Sequence, residues 1–186
     1  MEQVLFILPL ICTCLVGDKL VFNWLNGYPA IYRAIGDSLT HGLIALFSWL
    51  IIEKSLLHAI ICMVFAMLVD GDRFIEVGSL DLEKVLNLDH RPFLHNSTIP
   101  VILYFVSIIV CYFWKNQNAK VISSLIFIAF MTHHLRDGSR RGLWFYPWIN
   151  SLPVPYPVYI ISTVLLSLLV KLYVSHNTKS FNVLSV

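Results

Sequence analysis

The chain has 186 residues and a formal net charge of +2, and 58% of its residues are apolar whereas only 13% are charged. Soluble domains average about 45–50% apolar and about 25% charged residues. The composition therefore excludes an ordinary soluble fold and predicts a membrane protein. The small net charge, without a basic tract interleaved with aromatic residues, excludes nucleic acid as a partner.

Apolar segments that approach the length of a membrane span, about 20 residues, recur along the chain. Six candidates are Val4–Trp24, Asp37–Ile52, Ser55–Val69, Ile99–Trp114, Val121–His133 and Val158–Tyr173. They predict an all-α, multi-pass transmembrane helical bundle of five to six helices, forming one integral membrane domain over residues 1–186. No basic residue precedes the first segment, so we expect a retained helix rather than a signal peptide. We expect an endomembrane location.

Polar residues interrupt this apolar pattern in four clusters, each at the start or end of a predicted helix. They are Asp37 with His41, Asp70 with Asp72, His90 with His95, and His133 and His134 with Asp137. In the six-helix arrangement all four clusters lie at the same membrane face. Ionisable residues at such positions are costly and are candidates for function.

The spacing within these clusters favours metal binding. Asp37 and His41 are four residues apart, as are His133 and Asp137, so each pair lies on one helix face. A glycine between Asp70 and Asp72 allows a turn that brings two carboxylates near one cation. We predict the metal ligands Asp37, His41, Asp70, Asp72, His95, His133 and Asp137. Mixed His and Asp ligands suit zinc, with manganese or iron as alternatives.

Each cluster also has a simpler interpretation when it is taken alone. Asp37 could be only a helix N-cap. Asp70 and Asp72 could belong to a solvated turn, and His41 could be a hydrogen-bonded core histidine. His58 has no carboxylate partner at helical spacing, and we interpret it as structural.

Four arginines flank the predicted ligands at the same face. They are Arg91, Arg136, Arg140 and Arg141. Guanidinium groups bind phosphate in a bidentate manner, and the phosphates next to a membrane are lipid headgroups. We therefore predict that these residues bind the phosphate of a lipid substrate. Anchoring at the membrane interface is the alternative.

Three motifs resemble those of the bacterial YdjM-type membrane-bound, metal-dependent hydrolases. They are the segment from His90 to His95, the Asp70-Gly-Asp72 turn, and the stretch from His133 to Asp137 followed by Gly142 and Pro147. The strings RPFLH, HHLRDG and RGLW look more closely like the Transmembrane protein 267 family. The resemblance covers roughly residues 37–147. It implies a helical membrane fold with a metal site in that core.

The resemblance nominates six of the predicted ligands: His41, Asp70, Asp72, His95, His133 and Asp137. One position departs from the bacterial pattern, because Arg73 stands where a histidine commonly follows. Such a change implies altered metal use or an inactive enzyme.

These patterns together predict a metal-dependent hydrolase that acts on a phosphoester of a lipid or lipid-linked substrate. Asp72 or Asp137 would act as the general base, and His134 would protonate the leaving oxygen. The main alternative is a non-enzymatic membrane scaffold with a structural metal site. A proton or metal transporter ranks below both, because few polar residues continue toward the opposite face. Membrane lipids are the predicted partners, and the sequence specifies no protein partner.

Overall fold

Helices form nearly all of the regular structure in this computed structural model, which describes residues 5–147 and 149–182, without the side chains of residues 176–182. The long helices are α1 (Ile7–Lys19), α2 (Ala30–Ile52), α3 (Leu56–Leu68), α6 (Thr98–Trp114), α7 (Gln117–Arg141) and α8 (Tyr156–Asn182). Short elements are α4 (Gly71–Val77), α5 (Leu82–Leu86), a 3₁₀ turn (Phe93–His95) and the antiparallel strands β1 (Trp144–Phe145) and β2 (Ile149–Asn150). A π-helical turn and a 3₁₀ turn extend α1 to Gly27.

Local sequence signals explain where several helices begin and end. Ser55 accepts a hydrogen bond from the backbone N–H of His58, and Asn116 accepts one from Ala119, as N-cap side chains do. Helix α7 ends at Arg141 and is followed by Gly142, whose φ is +77° and where a Cβ would lie 2.0 Å from the Ser151 carbonyl oxygen. Only glycine fits there.

Among the residues that the structure describes, three helical segments are long and apolar enough to cross a membrane: Ile7–Gly27, Ala30–Ile52 and Tyr156–Ser175. The fold is thus that of an all-α membrane protein, but five to six spans are not established. Helix α3 has 13 residues and α6 has 17, whereas a 30 Å hydrocarbon core needs about 20 at 1.5 Å per residue. Helix α7 has 25 residues, but its second half is polar.

Helix α2 is central, because it packs against α1, α3, α7 and α8. Its residues Ile44, Ala45 and Trp49 are fully buried, and Ala129 of α7 belongs to the same core. In contrast, α6 exposes large apolar side chains along its length, such as Ile102, Phe105 and Ile109. A wide apolar surface of this kind fits contact with lipid. The arrangement brings the polar ends of α2, α3 and α7 together.

Candidate metal centre

Side chains from four separate segments converge at one end of the bundle. Asp37 and His41 come from α2, Asp70 immediately precedes α4, His95 ends the 3₁₀ turn, and His133 and Asp137 come from α7. Helix α2 begins at Ala30, so Asp37 lies within the helix and is not its N-cap. Three overlapping trios each have ligand atoms within 4.8 Å of one another: His41, His133 and Asp137; Asp70, His95 and His133; and Asp37, His41 and Asp70.

The nitrogen and oxygen atoms of the cluster face one another across short gaps. His95 Nε2 lies 3.3 Å from Asp70 Oδ1 and 3.5 Å from Asp137 Oδ2. His41 Nε2 lies 3.5 Å from Asp137 Oδ1 and 4.0 Å from Asp37 Oδ2. Such a mixed set of imidazole nitrogens and carboxylate oxygens suits zinc, with which both ligand types form bonds of about 2.0–2.2 Å.

His133 provides the strongest argument for a cation. Its side chain is fully buried, and its Nδ1 lies 2.9 Å from the Ala66 carbonyl oxygen, so Nδ1 must carry the hydrogen. In the neutral ring, Nε2 then presents a lone pair toward Asp70 Oδ1 and Asp137 Oδ2, each 3.8 Å away. Nε2 has no hydrogen-bond partner among the described residues. A lone pair that faces two carboxylates is unfavourable unless a cation lies between them.

His41 strengthens this argument because its ring stacks on that of His133, with ring centroids 3.7 Å apart and planes 15° apart. Two charged imidazoles in this arrangement would repel each other, so at least one ring is neutral. Neither ring nitrogen of His41 finds a hydrogen-bond partner in the described part of the chain, although His41 is 1% exposed. Metal coordination would satisfy its Nε2.

Asp72 lies behind His95 rather than among the converging atoms. Its Oδ2 accepts a 2.7 Å hydrogen bond from the Leu94 backbone N–H and lies 3.4 Å from His95 Nδ1. This geometry orients the His95 ring so that Nε2 faces Asp70 and Asp137, as carboxylates commonly do for metal-binding histidines. The structure therefore favours an orienting role for Asp72 over the predicted roles of ligand and general base.

The pKa values of His95 and Asp70 move in opposite directions. Burial alone would lower the pKa of His95, but hydrogen bonds with Asp70 and Asp72, together with the nearby Asp137 carboxylate, raise it to about 9. Burial alone would raise the pKa of Asp70, but the hydrogen bond with His95 and the charge of Arg73 outweigh it and lower that pKa. Asp70 is thus a carboxylate at neutral pH, as a metal ligand must be.

Arg73 reaches into the cluster from the first turn of α4. Its Nε lies 2.8 Å from Asp70 Oδ1, and its Nη2 lies 3.5 Å from Asp137 Oδ2 and 3.2 Å from His95 Nε2. The guanidinium thus supplies one positive charge beside two carboxylates. This charge limits how many cations the cluster can hold, so the geometry fits one ion better than two.

Arg136, a predicted phosphate ligand, is fully buried and already paired. Its Nε donates to Asp18 Oδ1 at 2.7 Å and its Nη1 donates to Asp37 Oδ1 at 2.7 Å, while Asp18 also accepts from the Tyr156 hydroxyl. Together these two ion pairs and the Tyr156 hydrogen bond link α1 and α8 to α2 and α7. This position favours a structural role for Arg136 and leaves it without access to a phosphate group.

His134 and Arg91 are also held by backbone carbonyls. His134 Nε2 donates to the Leu94 carbonyl oxygen at 2.8 Å, so its Nδ1 is an acceptor in the neutral ring and a general-acid role is disfavoured. Arg91 donates to the carbonyl oxygens of Arg141 and Gly142. Both residues border a small cavity of about 20 Å³ beside His95, which has room for about one water molecule.

A larger polar cavity, of about 180 Å³, opens next to the cluster and reaches Asp37 and Asp137. Four arginines line it: Arg33, Arg73, Arg140 and Arg141. Arg140 pairs with Asp137 and lies over the Phe22 ring. Asp37 and Asp137 are thus reachable from this cavity, which suits a catalytic metal site better than a closed structural one.

Sequence reasoning missed three of the residues around the site. Asp18 interrupts the first apolar segment, and an acidic residue at such a position indicates a buried partner. Arg33 lies four residues before Asp37, a spacing that places both on one face of α2. Arg73 departs from the bacterial ligand pattern, and nothing in its local sequence places its guanidinium among the ligands.

Comparison with known proteins identifies relatives along most of the chain. Transmembrane protein 267 of Mus musculus is 35% identical over 156 residues, which cover 81% of this chain and 73% of the relative. The Bos taurus protein of the same name is 34% identical over 168 residues, or 87% of this chain and 78% of the relative. No family model matches the chain, and no solved structure matches it. At this identity and coverage, the chain belongs to the Transmembrane protein 267 family.

Proposed function

We propose that this protein is a multi-pass enzyme of an endomembrane that hydrolyses a phosphoester of a lipid or lipid-linked substrate with the help of one divalent cation. The observation that carries the proposal is the buried His133, whose Nε2 faces Asp70 and Asp137 at 3.8 Å without a hydrogen-bond partner among the described residues. Zinc suits the ligands best, and manganese or iron are alternatives. The resemblance to YdjM-type hydrolases points to the same chemistry.

We infer that the ligands are Asp70, His95, His133, His41 and Asp137, drawn from the converging trios. A bound divalent cation would supply an acidified water and would polarise the phosphoryl group. Asp37 is the weakest candidate, because its Oδ1 already accepts from Arg136. The chain itself provides charge, orientation and proton transfer around that centre.

Asp137 is the proposed general base. Its Oδ2 faces the histidines and Arg73, whereas its Oδ1 lies near His41 and Arg140. One carboxylate oxygen can therefore accept the proton of the attacking water. As the new P–O bond forms and the ester P–O bond breaks, the same carboxylate can pass that proton to the leaving oxygen.

The arginines of the polar cavity would hold the substrate phosphate. Arg33, Arg73, Arg140 and Arg141 face that space together with only two carboxylates, Asp37 and Asp137. The excess of positive charge matches a phosphate group. Arg91 and Arg136 do not line this cavity, so they are weaker candidates than the other two predicted phosphate ligands.

The scaffold alternative predicts a metal that stays closed to substrate. The reachable carboxylates of Asp37 and Asp137 argue against it, because a structural zinc site keeps all four positions filled by protein ligands.

The test combines metal analysis with a hydrolysis assay on purified, detergent-solubilised protein. We expect near-stoichiometric zinc in the wild type and turnover of a lipid phosphoester that a chelator abolishes. His133→Ala and Asp137→Asn should lower both metal content and turnover, because each removes a ligand. His58→Ala is the control, since His58 pairs with Glu53 away from the cluster. Zinc content that is absent in the wild type, or unchanged in both ligand variants, would sink the proposal.

A further inference from the structure

A second, apolar cavity of about 460 Å³ adjoins the polar one. Its walls come from α2, α4, α5 and the end of α3. Its volume falls within the range of known ligand pockets, about 300–1,000 Å³. Apolar side chains dominate its lining, among them Ile31, Ile35, Leu39, Phe74, Leu82 and Val85.

The two cavities meet at the candidate metal centre. Both are lined by Asp37, Arg73 and Leu86. The polar cavity then continues to Asp137, and the apolar cavity continues to Asp70. A molecule that occupied both would therefore pass directly beside the carboxylates of the cluster.

The apolar cavity opens onto an exposed apolar surface of the protein. Among its lining residues, Ile31, Ile35, Leu39 and Leu68 are each between 41% and 59% exposed. A hydrocarbon chain could thus enter from the bilayer without crossing water. In water such a surface would be costly, whereas in contact with lipid chains it carries no such cost.

The polar cavity offers an anchor of opposite character. Arg33 lines it from α2, and the Arg33 Nε is buried without a hydrogen-bond partner in the described part of the protein. Arg141 at the end of α7 is exposed and lines the same space. An unpaired buried guanidinium N–H is satisfied by an anionic oxygen, and guanidinium geometry suits phosphate.

From this arrangement we infer that the substrate is a membrane lipid whose phosphate lies close to a single long hydrocarbon chain. The chain would occupy the apolar cavity between α2 and α5, and the phosphate would lie beside Arg33 and Arg141, with the scissile bond at the junction. This inference rests on the proposed hydrolase function and adds to it the part of the molecule that selects lipid over soluble phosphoesters.

The experiment narrows the apolar cavity without touching the metal cluster. Ala34 lines the cavity from α2 and is partly exposed, so Ala34→Trp should fill part of it. Leu82 lines the same cavity from α5, so Leu82→Trp is used in place of Ala34→Trp if the latter does not fold. Ala119→Trp is the matched control, because Ala119 is similarly exposed and lies at the start of α7, outside both cavities.

Two chromogenic substrates, ethyl and hexadecyl p-nitrophenyl phosphate diesters, report on chain binding in reconstituted vesicles. Each buried methylene changes affinity about fourfold, so excluding two or more methylenes should lower kcat/KM for the hexadecyl diester about tenfold or more. The ethyl diester should lose several-fold less kcat/KM than the hexadecyl diester in Ala34→Trp, and both diesters should be unaffected by Ala119→Trp. Equal losses on both diesters in both cavity variants, or no loss on either, would overturn the inference.

A binding measurement separates this inference from the hydrolase proposal. A hexadecyl phosphonate with a diazirine in its chain cannot be hydrolysed, and it labels the residues near that chain on illumination. We expect labelled peptides from α2 and α5, with labelling reduced in Ala34→Trp and retained in Ala119→Trp. Labelling with no turnover of either diester would contradict the hydrolase proposal alone. Turnover without labelling of α2 or α5 would contradict the chain site alone.

Discussion

Substitution of Asp72 tests whether this residue orients His95 or coordinates the cation itself. Asp72 Oδ2 lies 3.4 Å from His95 Nδ1 and accepts a 2.7 Å hydrogen bond from the Leu94 backbone N–H. Removing a carboxylate that orients a metal-binding histidine lowers metal affinity about 10–100-fold, or about 1.4–2.8 kcal/mol. Removing a ligand should have a larger effect, and His133→Ala is the reference for it.

Two substitutions separate metal affinity from folding. Asp72→Ala leaves the partly buried Leu94 N–H without its acceptor, which costs about 1 kcal/mol of folding free energy in addition to the loss of metal affinity. Asp72→Asn retains an oxygen that can accept from Leu94, so we expect near-normal stability and a loss of affinity close to tenfold.

Competition titration against a chromogenic zinc chelator measures the affinity of the purified protein, and thermal unfolding without metal measures its stability. If Asp72→Asn bound zinc as weakly as His133→Ala, Asp72 would be a ligand and the orienting role would be wrong. If Asp72→Ala bound zinc like the wild type, the orienting role of Asp72 would be wrong.

Three further perturbations have outcomes that follow from the structure. Zinc affinity should rise about tenfold per pH unit between pH 6 and 8, since the pKa of His95 is raised to about 9 and its proton competes with the metal below that value. A pH-independent affinity in the same competition titration would exclude His95 as a metal ligand. Arg136→Met should lower the free energy of unfolding by about 3–5 kcal/mol, because the buried Asp18 carboxylate then lacks its cationic partner. Adding Asp18→Asn to this variant should recover part of the thermal stability. An unaltered melting temperature in Arg136→Met would refute the buried ion pair. Gly142→Ala should abolish the folded protein in size-exclusion chromatography, because a Cβ there would lie 2.0 Å from the Ser151 carbonyl oxygen at a φ of +77°; a normal elution profile would contradict the close approach.

Composition alone determined that this is a membrane protein, and helical spacing alone determined which polar residues lie on one helix face. A chain with 58% apolar residues must expose apolar surface to lipid. Asp37 and His41, like His133 and Asp137, share a helix face at a spacing of four residues, whatever the helix packs against. Both pairs do contribute to the converging trios.

The role of each polar residue was decided only by tertiary packing. Spacing places Asp70 and Asp72 in one turn, but the approach of His95 to that turn leaves Asp70 among the converging atoms and Asp72 behind the ring. Arg136 and Arg140 are four residues apart on one face of α7, yet Arg136 pairs with Asp18 of α1, whereas Arg140 lines the polar cavity.

The number of membrane spans also depended on packing. Hydropathy predicted six candidate spans, but α7, which packs against α2, α3, α6 and α8, carries a polar second half. The roles of the polar residues and the number of membrane spans depend on packing for the same physical reason. A sequence determines which groups share a helix face, whereas the free energy of each charged group depends on the neighbours that other segments bring to it.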